Sequence, residues 1–278
     1  MALAIATNNA ALNAAASASS VNRDMETSMA RLSSGKRINS ASDDAAGGAI
    51  SSRLSAELRG TEQAIRNSLD GQALIDTAEG AHKEIENILQ RMREVAVQSN
   101  NDTNNAQDRA NLQAEMNAMA TEIDRIAGTT TWAGTNLMDA TTSSFSFQVG
   151  SATGAKNQIA VAIKTMNAAG LTAESADLTV NDTAAKRLTA IVNVDAAIKA
   201  VNDQRSELGA VSNRLNHTVN NLTNISTNLS AAKGGIEDAD FALETTNLAK
   251  NQILQQASTA MLAQANASKQ NVLSLLQG

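Results

Sequence analysis

The chain has 278 residues, of which 42% are hydrophobic and only 1% aromatic, with no Pro, no Cys and a formal net charge of −6 at pH 7. The lack of cysteine excludes disulfides, thiolate metal sites and cysteine nucleophiles, and the lack of aromatics argues against a compact globule, which normally fills its core with large side chains. The charge is spread, no basic patch is interleaved with aromatics and no apolar run is long enough to span a bilayer, so neither nucleic acid nor membrane is an expected partner.

Residues 2–32 predict a helix rich in Ala and Asn. Ile5 and Leu12 lie one heptad apart, and Val21, Met25, Met29 and Leu32 fall on a narrow arc of a 3.6-residue wheel. The first basic residue is Arg23, so no positive run precedes an apolar segment. A cleaved secretory signal is therefore not expected, and export would need another route. Gly35 ends the helix as a left-handed C-cap. Residues 36–44, KRINSASDD, form a polar connector. Ser42 or Asp43 is the expected N-cap of the next helix, with Asp44 in its first turn facing the positive dipole end.

That helix is predicted over residues 45–99. Leu54, Leu58 and Ile65 begin its stripe, and Leu74, Ala78, Ala81, Ile85, Ile88, Met92 and Val95 continue it in alternating steps of four and three. Gly60, Gly71 and Gly80 cost about 1 kcal/mol each relative to Ala inside a helix and mark either close approach or gentle bends. NNDTNNAQD at 100–108 is a turn by composition. A shorter helix follows, with Leu112, Met116, Met119, Ile123 and Ile126 on one stripe and Gly128 as its stop.

The period then changes. Phe145, Phe147 and Val149 alternate, GSATG turns, and Ile159, Val161 and Ile163 alternate, which predicts a β-hairpin with a five-residue loop. Residues 164–184 are small and polar and read as an exposed tip. Helical spacing resumes near residue 185, from Ile191 through Val201, Leu208 and Leu215 to Leu229, and is expected to break at Lys233-Gly234-Gly235. The last helix carries a thin seam of Leu254, Ser258, Met261, Ala265, Ser268, Val272 and Leu275.

These elements predict a mainly α protein: a long antiparallel helical bundle with a β-hairpin, plus a two-helix terminal coiled coil. The expected division is residues 1–40 and 236–278 for the paired ends and 41–235 for the bundle. His82 and His217 lack metal-ligand spacing and read as solvent-facing, and the carboxylate pairs read as solvated faces or helix N-terminal charges. No catalytic residue, metal site or cofactor is expected. Two long, weakly apolar helices are marginal by themselves in water. Stacked among copies they would bury their Ala-rich flanks, and a contact that does not close generates a filament. The expectation is a self-assembling structural protein; a monomeric or dimeric coiled-coil bundle is the plainer alternative.

Three stretches carry a specific resemblance: RLSSGKRINSASDDAAGGAI at 31–50, LQRMREVAVQSNN at 89–101, and IEDADFALETTNLAKNQILQQASTAMLAQANASKQNVLSLLQ at 236–277. They closely resemble bacterial flagellin, in a minimal form without outer variable domains. The resemblance implies a secreted subunit, exported unfolded through the flagellar channel, that polymerises into the extracellular filament of the motility propeller. A low-copy hook–filament junction protein is the alternative within that family. The implied partners are further copies of the chain, an export chaperone, the cap, hook-junction proteins and host innate immune receptors.

By the same resemblance the terminal helices carry self-assembly, through Ile5, Leu12, Val21, Met25, Leu32, Leu254, Met261, Leu262, Val272, Leu275 and Leu276. Gln90, Arg91 and Glu115 match positions bound by the flagellin-sensing Toll-like receptor. The family's Leu in that motif is Val95 here, which also lies on the buried stripe. Leu273, Leu275 and Leu276 match the tail masked by the export chaperone and recognised by cytosolic sensors.

Overall fold

The computed structural model describes residues 7–138, 143–174 and 177–277. In chain order it has α1 (Asn9–Ser34), α2 (Ala45–Ser99), α3 (Ala106–Thr129), β1 (Thr131–Trp132), β2 (Thr135–Asn136), β3 (Ser143–Gln148), β4 (Gln158–Ile163), α4 (Ala184–Glu237) and α5 (Phe241–Gln277). The chain divides into two compact units: residues 1–56 with 228–278, and residues 57–227.

The unit of residues 57–227 holds the core. α2 buries two rows of side chains. The expected stripe is one: Leu74, Ala78, Ile85, Met92 and Val95 are buried, with Ala81 and Ile88 packed at its edge. A second row at strict heptad spacing, Thr61, Ser68, Ile75, His82, Leu89 and Ala96, is buried as well. A helix with two buried rows needs partners on two sides. α3 and α4 supply them, both antiparallel to α2. Arg91 reaches Glu115 at 2.9 Å across to α3, and Arg93 reaches Asp195 at 2.6 Å across to α4. α3 begins at a capping box in which Asn105 accepts from the Asp108 amide while the Asp108 carboxylate accepts from the Asn105 amide.

The β3–β4 hairpin lies against this bundle, with Phe145 opposite Val161 and Phe147 opposite Ile159. Its connection runs from 149 to 157 and contains a short 3-10 turn at Ala155–Asn157, so the five-residue loop expected there is too short. The hairpin also explains two of the α2 glycines. A Cβ at Gly71 would stand 3.2 Å from the Phe147 ring, and one at Gly60 would stand 2.9 Å from Ser151 Cβ. The close approach is therefore to the hairpin.

Residues 164–183 are not an exposed tip. Met166, Ala168, Leu171, Ala173, Leu178 and Val180 are all buried. Side chains of α3 satisfy the backbone of this loop. Gln113 donates to Leu178 O at 3.3 Å and accepts from the Val180 amide at 2.6 Å, and Asp124 accepts from the Ala168 amide at 2.8 Å. Buried irregular backbone needs such partners, and two polar side chains on a helix face provide them here.

The expected break at Gly234-Gly235 is also absent: α4 continues to Glu237. Each glycine weakens the helix by about 1 kcal/mol without ending it, and the Asp238 amide still donates to Gly234 O at 2.8 Å. The chain turns afterwards, at residues 238–240.

Candidate assembly interface

α1 and α5 belong to the other unit and pair with each other. α1 starts where Asn8 Oδ1 accepts from the Ala11 amide at 3.1 Å, and ends at Gly35, whose φ of 70° is open to glycine without strain. α5 starts where Asp240 Oδ1 accepts from the amides of Ala242 at 2.9 Å and Leu243 at 3.2 Å. Three contacts define an antiparallel register. Asn8 Nδ2 donates to Ala265 O at 3.1 Å, Gln255 Nε2 donates to Asn22 Oδ1 at 2.8 Å, and Arg31 Nη1 meets Glu244 Oε1 at 3.0 Å.

The seam is thin. Among the described residues of these two helices only Ser28 and Glu244 are buried. Val21, Met25 and Leu32 are half-buried on α1, and Leu248, Asn251, Gln255, Ser258, Leu262 and Ala265 are half-buried on α5. The α5 seam keeps Ser258 and Ala265 of the expected one, but Gln255 and Leu262 take the half-buried places expected of Leu254 and Met261. Gln255 turns inward because it finds Asn22 there, and several large apolar side chains are left outside. Leu12 is 59% exposed, Met29 54%, Ile253 66% and Met261 65%. Leu254 and Met261 line one wall of an open groove of about 420 Å³, with Ala10, Ala14 and Ser17 on the other. Ile5 lies outside the described residues, as do the side chains of Val272, Leu273, Leu275 and Leu276.

In the same unit the α1–α2 connector is tied to the end of α4. The Arg37 amide donates to Glu237 O at 2.6 Å, the Ala239 amide donates to Gly35 O at 3.0 Å, and Arg37 Nη2 donates to Ile236 O at 2.8 Å. The Glu237 carboxylate accepts from Ser51 Oγ and pairs with Lys36 Nζ at 3.0 Å. The Ser51 hydroxyl, and then Lys36, hold its carboxyl below the usual range. Asp43 accepts from the Ser40 amide at 2.8 Å and the Asn39 amide at 3.0 Å, and these bonds hold its carboxyl low too. The cap of α2 is Asp44, whose Oδ1 accepts from the Gly47 amide at 2.8 Å, so neither Ser42 nor Asp43 takes that place.

In the unit of residues 57–227, Arg91 and Glu115 come together across α2 and α3. The Arg91 guanidinium donates to Glu115 through Nε at 3.1 Å and Nη2 at 2.9 Å, and to Glu94 through Nη1 at 2.9 Å. The bonds to Glu94 and then Glu115 raise the Arg91 pKa further above its ordinary value. Gln90 is exposed beside them and donates to Glu86 at 3.4 Å. Val95 is buried in the core.

His82 is also buried, which corrects the solvent-facing reading; His217 is exposed. Neither ring nitrogen of His82 has a hydrogen-bond partner. Burial, and then the charge of Arg205, push its pKa down to about 4. The missed signal was the heptad row of Thr61, Ser68 and Ile75 leading to it. Among the described residues, no three His, Asp or Glu side chains are grouped to hold a metal ion. No described helix is long and apolar enough to cross a membrane.

Two family models match the chain: the bacterial flagellin N-terminal helical region over residues 5–143 and the bacterial flagellin C-terminal helical region over residues 191–276. A flagellin of Halalkalibacterium halodurans is 46% identical over 252 residues, covering 91% of this chain and 92% of that one. A flagellin of Bacillus subtilis is 43% identical over 301 residues, covering 97% and 98%. The crystal structure of Bacillus cereus flagellin aligns with 60% of this chain and 94% of that one, at 35% sequence identity and a TM-score of 0.49.

Proposed function

Since this chain belongs to the bacterial flagellin family, we propose that it is the repeating structural subunit of an extracellular flagellar filament and that α1 and α5 form the surface through which copies join. The observation that carries this reading is the α1–α5 pair: two helices of 26 and 37 residues with two buried side chains among their described residues and large apolar residues turned outward. Such a pair is weakly held within one chain and gains its burial from neighbours. Residues 1–40 and 236–278 then act as the inner core of the filament, and residues 41–235 as the surrounding tube. The chain leaves the cell unfolded through the flagellar channel.

Three further roles rest on the family resemblance. The export chaperone masks the tail containing Leu273, Leu275 and Leu276, which cytosolic sensors also recognise. The cap and hook-junction proteins meet the same terminal helices that join copies. A host Toll-like receptor docks on the surface of Gln90, Arg91 and Glu115. For that surface, the support on this chain is that Arg91 and Glu115 are partly solvent-accessible and already oriented by each other.

Seeded growth of the purified chain tests the assembly reading. Filaments should lengthen on sonicated seeds, and a chain with Leu254→Asp and Met261→Asp should not add to them while keeping its helical circular dichroism. Both residues are exposed in the single chain, so a carboxylate there is tolerated in solution. It is costly, by several kcal/mol, only when a neighbour buries it. Normal filaments from the double variant would rule out these helices as the joining surface.

A further inference from the structure

The α1–α5 seam has a register problem. Many of its facing residues are small or polar, among them Ala11, Ala14, Ala18 and Ser28 on one helix and Asn251, Gln255, Ser258 and Ala265 on the other, and the larger ones, Val21, Met25, Leu32, Leu248 and Leu262, are only half-buried. A heptad slide trades Ala11 for Ala18, Met25 for Leu32 and Ser258 for Ala265, although it also trades Ala18 for Met25, so these half-buried apolar contacts select a register only weakly. Two of the three polar contacts are lenient as well. Asn8 takes a backbone carbonyl, a group every residue of α5 carries, and Asn22 with Gln255 is a neutral pair.

The third contact is of a different kind. Glu244 is 5% exposed, making it the one buried charge among the described residues of either helix. Its Oε1 meets Arg31 Nη1 at 3.0 Å, while Glu244 Oε2 and Arg31 Nε, both buried, have no partner. The single Nη1–Oε1 contact is therefore the only side-chain partner of the buried carboxylate, beside its place in the first turn of α5. A buried ion pair adds little net stability, but stranding one member is heavily penalised, which makes it a selector of arrangement. A heptad slip in one direction puts Glu244 opposite Asp24, a second carboxylate. A slip in the other carries it past the end of α1 and leaves Arg31 facing Asn251.

We infer that the Arg31–Glu244 pair is the positioning element that sets the register of α1 against α5, and through it which apolar side chains share the outer face. The first half concerns one chain alone; only its consequence for the outer face rests on the assembly reading above.

Because the chain has no cysteine, introduced pairs report without background. Full-length chains carry Asn22→Cys together with Gln255→Cys, Leu248→Cys or Leu262→Cys. These match the observed register and a heptad slip in either direction. A short thiol-to-thiol linker is applied to soluble and sedimented protein together, and cross-linked single chains are read on a denaturing gel. With Arg31 and Glu244 intact, the 22–255 pair should close at least about fivefold more than either other pair. Glu244→Arg should abolish that preference and favour the 22–248 pair, because that slip brings the new arginine to Asp24. The swap Arg31→Glu with Glu244→Arg should restore 22–255. A parent chain without preference, a single reversal that keeps it, or a swap that fails to recover it would each overturn the inference. Filament growth is not the readout, so failure of the assembly reading would leave this result standing.

Discussion

The middle of α2 and the whole of α1 are both unbroken helices without Pro, yet they hold their places in opposite ways. Between residues 74 and 92, α2 buries Leu74, Ile75, Ala78, His82, Ile85, Leu89 and Met92, each at 1% exposure or less. α1, over 26 residues, buries Ser28 alone. Alanine content does not favour the buried helix: α1 has seven Ala in 26 residues, and residues 74–92 of α2 have two. What differs is the size of the side chains and the number of neighbours. α2 is covered by α3, by α4 and by the β3–β4 hairpin, whereas α1 has α5 on one side and is otherwise mostly exposed. A helix is stabilised mainly by the apolar face it buries, so the first is well held within one chain and the second has burial left to gain outside it.

The largest expected effect breaks this comparison at its strong side. Leu89 is fully buried, and Leu89→Ala should cost about 2–5 kcal/mol through lost transfer energy and the cavity left behind. The same change at Leu12, 59% exposed, should cost less than about 0.5 kcal/mol in the soluble chain. Trp132, the single tryptophan, packs at the edge of the core, so its fluorescence during urea unfolding reports on that unit. Equal shifts for the two variants would erase the distinction.

A second effect, of about 3 kcal/mol, belongs to the strong side alone. His82 has its folded pKa lowered from 6.5 to about 4, so the unfolded chain binds a proton more readily than the folded one. The stability this gives is complete above pH 6.5 and is lost as pH falls toward 4; at 1.36 kcal/mol per pKa unit the loss is about 3 kcal/mol. Carboxylates held low, such as Glu237, lose their contribution only below their unfolded value of 4.5, so the window from 6.5 to 4.5 isolates the histidine. His82→Leu should flatten the stability profile there. An unchanged slope across that window would mean that His82 is not the group responsible.

The contrast between strong and weak helices was legible in the sequence, because it is written in period and residue size: every α2 residue of the Leu74-to-Val95 stripe lies in or against the core. His82 escaped because one polar residue on a second heptad row looks like a solvated position unless the whole row is followed. The loop at 164–183 escaped because Met166, Leu171, Leu178 and Val180 are scattered among small and polar residues without a helical period, and its backbone is answered by Gln113 and Asp124 from a distance that local reading does not span. The α5 seam shifted for a related reason. Gln255 reaches Asn22 only once the two ends of the chain are brought together, and nothing near Gln255 in sequence announces it.

The smallest effect in the solitary chain should be the one that matters most in the polymer. Leu12 contributes almost nothing to the stability of a dissolved molecule, so Leu12→Ala should leave the urea midpoint and the helical signal where they were. If a neighbouring copy covers that side chain, the lost apolar carbons weaken each addition to the growing end. At about 0.8 kcal/mol per buried CH₂, the loss lies between about 1 and about 2 kcal/mol depending on how fully it is covered. The subunit concentration left in equilibrium with filaments should then rise between about fivefold and about thirtyfold. Sedimentation of filaments grown from a dilution series measures that concentration directly. A variant that is unchanged in both measurements would show Leu12 to be solvent-facing in the filament as well, and would move the joining surface to the other outward residues, Met29, Ile253 and Met261. A variant that loses urea stability instead would mean that α1 is already held firmly inside one chain, and the division between a self-sufficient bundle and dependent ends would no longer hold.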